Sequence, residues 1–177
     1  MHPNSSRIVG IAFVALTLLV GSCSNDASTD AGGEVACSML SEESLTDLFG
    51  QTNLRSSGSL GTKESRQDGP VQCEVSDRDT GDSLLLITVS DAPDPTDAQR
   101  QSATVEEEAA ALTSCGRRES LLGGGYACFD DDGLAAASAR DERLIRLTMP
   151  GTAADSLAAA GIADLIDEID ERASGTP

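Results

Sequence analysis

Thirteen residues from Ile8 to Val20 form an apolar run broken only by Gly10 and Thr17, with Arg7 just ahead of it. As a helix this run would reach only ~20 Å against a hydrocarbon core of ~30 Å, so it predicts a signal peptide better than a membrane span. Residues 24–35 then lose all apolar periodicity and read as a flexible acidic spacer. Beyond it, Ser41 caps a short helix in which Leu45, Leu48 and Phe49 share a face, Leu40 staples to Leu45, and Gly50 closes the end. Residues 51–69, rich in Ser and Gly, read as loop with a weak strand around 52–55. Val71, Cys73 and Val75 alternate with polar residues as in a half-buried strand, and after the polar turn 77–82 the run 84–89 is apolar on both faces, as in a central strand. Asp94 and Pro95 open a second helix with the stripe Ala98, Ser102, Val105, Ala109 and Leu112, beside which Glu106, Glu107 and Glu108 read as solvated.

The second half keeps this rhythm. Strands are predicted over 126–130, 134–140 and 143–149, with Ile145, Leu147 and Met149 inward and Arg146 and Thr148 outward. A helix over 153–172 buries Ile162, Leu165, Ile166 and Ile169, and 174–177 fray. Strands joined by short turns, with helices set apart, define an α+β fold: an antiparallel sheet of about five to seven strands with about three helices packed mainly on one face. The order strand with cysteine, acidic turn, strand, helix occurs at 71–112 and again at 126–172. It reads either as two β-β-α modules or as a convergent meander.

The end of the first apolar run brings in chemistry. Leu18-Leu19-Val20-Gly21-Ser22-Cys23 resembles a bacterial lipobox. That resemblance implies a diacylglycerol on the Cys23 thiol and cleavage before it, so that 1–22 is a lipoprotein signal peptide, 23–35 a lipidated tether and 36–172 one domain, with 173–177 as a frayed end. Two or more acyl chains hold a protein stably to a bilayer where one does so only marginally. The expected place is therefore the outer, extracytoplasmic face of the cell membrane. An ordinary secretory signal with a spare thiol is the competing reading of Cys23.

Charge and composition then narrow the function. The chain has 12 basic and 30 acidic residues, and loss of 1–22 removes only Arg7, leaving a formal charge of −19. Nucleic acid is not expected as a partner. The only histidine is His2, so a processed chain lacks the imidazole of Ser-His-Asp and Cys-His mechanisms and of the usual zinc sets. Lys63, the single lysine, falls in the polar stretch read as loop, away from the burial that Schiff-base chemistry requires. Phe49, Tyr126 and Phe129 are the only aromatics beyond residue 22, too few for sugar-stacking subsites around a carboxylate pair.

Cys37, Cys73, Cys115 and Cys128 allow three pairings, and an oxidising compartment favours disulfides over a metal–thiolate site, which would want a C-x-x-C. Cys37–Cys73 and Cys115–Cys128 are the expected pairs, one tying the first helix to the first firm strand and the other clamping a hairpin over Gly123-Gly124-Gly125. The run Cys37-Ser38-Met39-Leu40-Ser41-Glu42-Glu43, with Leu45, Leu48, Gly50 and later Cys73-Glu74-Val75, resembles a domain of unknown function common in actinobacterial secreted lipoproteins. This resemblance implies an envelope lipoprotein with an α+β domain and no particular reaction.

Other motifs carry less. Aligned by Gly133 to a calcium loop, Asp130-Asp131-Asp132-Gly133 would put Cys128 first and Ala139 last, so it reads as a solvated turn, with weak calcium binding as the rival. The glycine triplet lacks the Lys-Ser/Thr of a phosphate loop, and Cys128 stands where a dinucleotide fingerprint needs a small residue. Arg117 and Arg118 read as strand-edge charges. The resulting expectation is a non-enzymatic module, without cofactor or catalytic metal, that binds another envelope protein. The alternative is a carrier whose cavity between sheet and helices holds a small apolar ligand or lipid.

Overall fold

A computed structural model describes residues 36–151 and 159–175 of the chain. The expected signal peptide and tether, Cys23 and residues 153–158 of the helix expected over 153–172 lie outside the described residues. Among the described residues eleven elements follow one another: α1 (Glu42–Phe49), β1 (Leu54–Gly58), α2 (Lys63–Asp68), β2 (Val71–Asp77), β3 (Ser83–Asp91), α3 (Pro95–Ala111), β4 (Arg117–Ser120), β5 (Tyr126–Asp130), β6 (Gly133–Arg140), β7 (Arg143–Pro150) and α4 (Ala159–Ala173). The fold is α+β. All seven strands join one antiparallel sheet in the order β1-β2-β3-β7-β6-β5-β4, with β3 and β7 at its centre.

Strand parity decides what each face buries. Leu85, Ile87 and Val89 of β3 point to the same side as Ile145, Leu147 and Met149 of β7, with Ile87 opposite Leu147 and Val89 opposite Ile145. On this face lie Ile162, Leu165, Ile166 and Ile169 of α4, Leu45 of α1, and Met39 and Leu40 ahead of it, forming the main core. α1 begins at Ser41, whose hydroxyl accepts from the Ser44 N–H, and ends where Gly50 turns left-handed at φ 65°. The sheet's other face carries a smaller cluster of Val105 from α3 with Tyr126, Cys128 and Ala137. α3 thus packs opposite to α1 and α4. Its Ser102 is exposed, while Ala98, Val105, Ala109 and Leu112 face inward to varying degrees.

This arrangement separates the two sequence repeats. β3 and β7 are antiparallel neighbours, related by an axis normal to the sheet, and such an axis would keep both following helices on one face. Instead α3 and α4 lie on opposite faces, and β7 intervenes between the second hairpin and its helix.

Residues 51–69 depart from the loop expected there: they form β1 and α2. α2 is fixed by a reciprocal cap, in which the Ser65 N–H donates to the Thr62 hydroxyl and the Thr62 N–H to the Ser65 hydroxyl. Lys63 is therefore the first residue of a helix, and its side chain is half exposed. Among the described residues no helix is long and apolar enough to cross a membrane.

Candidate functional site

The four domain cysteines close as Cys37–Cys73 and Cys115–Cys128, with Cα separations of 5.8 and 5.6 Å. They staple opposite faces of the sheet. Cys73 shares the face of Ile87 with the main core, whereas Cys128 sits in the cluster under α3. The domain is thus a two-disulfide α+β unit.

The hairpin register places both acidic turns, 77–82 and 130–133, at one end of the sheet, with β7 between the two hairpins. One carboxylate of each serves the turn itself. Asp77 accepts from the Asp79 and Thr80 N–H groups at 2.8 and 2.9 Å, and these bonds hold its carboxyl below the ordinary range. Asp130 accepts from Asp132 and Gly133 at 2.9 and 3.1 Å. Among the described residues no three His, Cys, Asp or Glu side chains converge to hold a metal ion. Arg117 stacks over the Phe129 ring at 4.0 Å, and Arg118 donates to the Ala109 carbonyl at 2.6 Å, so this basic pair serves packing at the β4 edge.

The opposite end of the sheet is built differently. Asp91 and Arg143 face each other across β3 and β7, on the inward parity, and both are buried. Arg143 Nε donates to one Asp91 oxygen at 2.9 Å, while Arg66 of α2 takes the other through Nε at 3.0 Å and Nη2 at 2.9 Å. Arg66 also donates to the carbonyls of Leu60 and Gly61 at 3.2 Å and of Ala173 at 3.0 Å. Arg143 reaches the Asp170 carboxylate and carbonyl and the Ser174 hydroxyl. One buried carboxylate thereby locks α2, the sheet and the end of α4 together. Above this clamp lies an open cleft of about 580 Å³, whose walls include Lys63, Arg66, Arg140, Arg143 and Arg172.

Two further glutamates join elements. Glu108, expected in solvent, instead takes a bidentate pair from Arg146 at 2.7 and 2.8 Å and the Tyr126 hydroxyl at 3.2 Å, binding α3 to β5 and β7. The Arg146 bonds hold the Glu108 carboxyl below its ordinary value against the opposing effect of burial. Burial, with the neighbouring glutamate, raises the Tyr126 hydroxyl. Glu168 of α4 accepts from the Ser41 N–H at 2.8 Å, the Ser44 hydroxyl and Arg172, so it caps α1 from across the core. Burial pushes its pKa up, yet these three donors together outweigh burial and hold it low. Lowered carboxyls of this kind are set for ion pairing; a general acid needs the opposite shift.

Sequence reading named none of Arg66, Asp91 or Arg143. The last two carried a signal, because each continues the inward alternation of its strand (85, 87, 89, 91 and 143, 145, 147, 149) with a charge of complementary sign. Arg66, in a six-residue helix without apolar period, carried none. The chain matches no known protein-family model, no curated protein and no solved structure.

Proposed function

We propose that the chain is a lipoprotein held by acylated Cys23 to the outer face of the cell membrane, and that its domain is a binding or accessory module for another envelope protein. The supporting observation is the closure of all four domain cysteines in two disulfides, which fits an oxidising compartment and leaves Cys23, directly after an apolar run and two small residues, as the odd thiol. The likeness of 37–50 and 73–75 to the domain found in actinobacterial secreted lipoproteins points the same way. Crosslinking in intact cells tests the binding role: one protein enriched over a lipidated control supports it, and capture of abundant neighbours alone contradicts it.

The carrier reading calls for a dry apolar cavity. The cleft beside Asp91 is ionic and open, and gives that reading no support. Native mass spectrometry of the chain decides between the two, since a carrier retains a bound apolar mass.

A further inference from the structure

We propose that the cleft at the clamp end of the sheet binds a phosphoryl group, with Lys63, Arg140, Arg143 and Arg172 supplying the donors. The chain as a whole has 12 cations against 30 anions, and five of those cations (Lys63, Arg66, Arg140, Arg143, Arg172) gather in the wall of this one cleft, beside Asp141, Glu142 and Asp170 and paired from behind by Asp91, Asp167 and Glu168. Arg66 is spent on Asp91 and three carbonyls. The other four keep donor capacity. Arg143 uses Nε and Nη1, Arg172 uses Nε and Nη2, and Arg140 uses its two terminal nitrogens, so one N–H-bearing nitrogen on each has no hydrogen bond among the described residues.

The pairs that guard the rim are of the exchangeable kind. Lys63 and Glu142 are each 52% exposed, and Asp167, the partner of Arg140, is 63% exposed. Exposed pairs of this sort are worth little and yield readily to a more highly charged oxyanion. Beneath them Arg143 is fixed by Asp91 and Asp170, a floor that needs no rearrangement to receive a ligand. Several guanidinium forks and an ammonium around one space suit the multiple oxygens of phosphate, and about 580 Å³ leaves room for the group that bears it. The Leu60 N–H donates to the Cys37 carbonyl at 2.9 Å, and Leu60 lines the cleft, so the chain enters the domain beside this site and away from the acidic turns. A lipid headgroup and a free phosphate ester share the required chemistry.

Full-length chain in phosphatidylcholine nanodiscs, titrated with inorganic phosphate and followed by NMR at the arginine Nε–H groups, provides the test. Saturable shifts at Arg140, Arg143 and Arg172, with Arg55 and Arg100 unmoved, support the site. In the double variant Lys63→Gln, Arg172→Gln the apparent affinity falls by about tenfold or more, as expected for lost charge-assisted bonds. The same shifts in phosphatidylglycerol nanodiscs without added phosphate identify a headgroup as the source, and their absence there identifies a soluble ester. No shift in either setting, or equal shifts at Arg55 and Arg100, overturns the proposal. The phosphate titration does not depend on the anchor, whose failure is read separately as a missing acyl mass.

Discussion

At the residue scale, Asp91 has the largest structural consequence, because two buried guanidiniums depend on it. Asp91→Ala leaves Arg66 without a carboxylate and Arg143 with Asp170 alone, and urea denaturation is expected to show a loss of about 3–5 kcal/mol. The opposite outcome, an unchanged midpoint, would mean that Arg66 and Arg143 find water when Asp91 is removed. Glu108 acts more gently and with a defined pH dependence. Its folded pKa is depressed by Arg146, so its contribution is complete above the unfolded value of about 4.3 and is lost as pH falls through the lower folded value. Glu108→Gln should therefore cost about 1 kcal/mol at pH 7, allowing for solvent screening of a partly exposed pair, and the gap to wild type should close below the folded pKa. A gap that persists in acid would assign the effect to packing rather than to charge.

At the element scale, the disulfides tie different parts of the fold and should be separable. On chain-entropy grounds, opening Cys37–Cys73, with its 36-residue separation, costs about 4 kcal/mol, and opening Cys115–Cys128, with 13, about 3 kcal/mol. Paired Cys→Ala variants compared by urea denaturation check the order. Gly133, at φ +137°, opens β6 where an added Cβ would lie 2.0 Å from the Met149 carbonyl oxygen. Gly133→Ala should lower stability by about 1–3 kcal/mol, visible as a drop in Tm. Strands β2, β3, β5, β6 and β7 and the longer helices were legible because their burial follows parity 2 or period 3.6, as at Val71-Cys73-Val75 and Ile162-Leu165-Ile166-Ile169, whereas the edge strands β1 and β4, almost wholly exposed, show no such parity. α2 was not legible, since six residues hold less than two turns and its buried side chain is an arginine. The face chosen by α3 was equally hidden: one valine and three half-buried small or apolar residues say that a face is buried, and nothing about which side of the sheet receives it.

At the scale of the whole molecule, charge is distributed along the strands. Acidic hairpin turns crowd one end of the sheet, and the cation-walled cleft, with the incoming chain beside it, occupies the other. Composition announced the net charge but not this polarity, because Arg66, Arg140, Arg143 and Arg172 meet only through the strand order 3-7-6 and the return of α4. If the chain is tethered as proposed, the acidic end points away from an anionic membrane. The most direct measurement is the intact mass of the protein extracted from membranes, combined with thiol alkylation without reductant. A chain beginning at Cys23, carrying acyl mass there and offering no free thiol, is the predicted result. A chain that retains residues 1–22, or one whose Cys23 is alkylated as a free thiol, would contradict the tethered, disulfide-stapled domain.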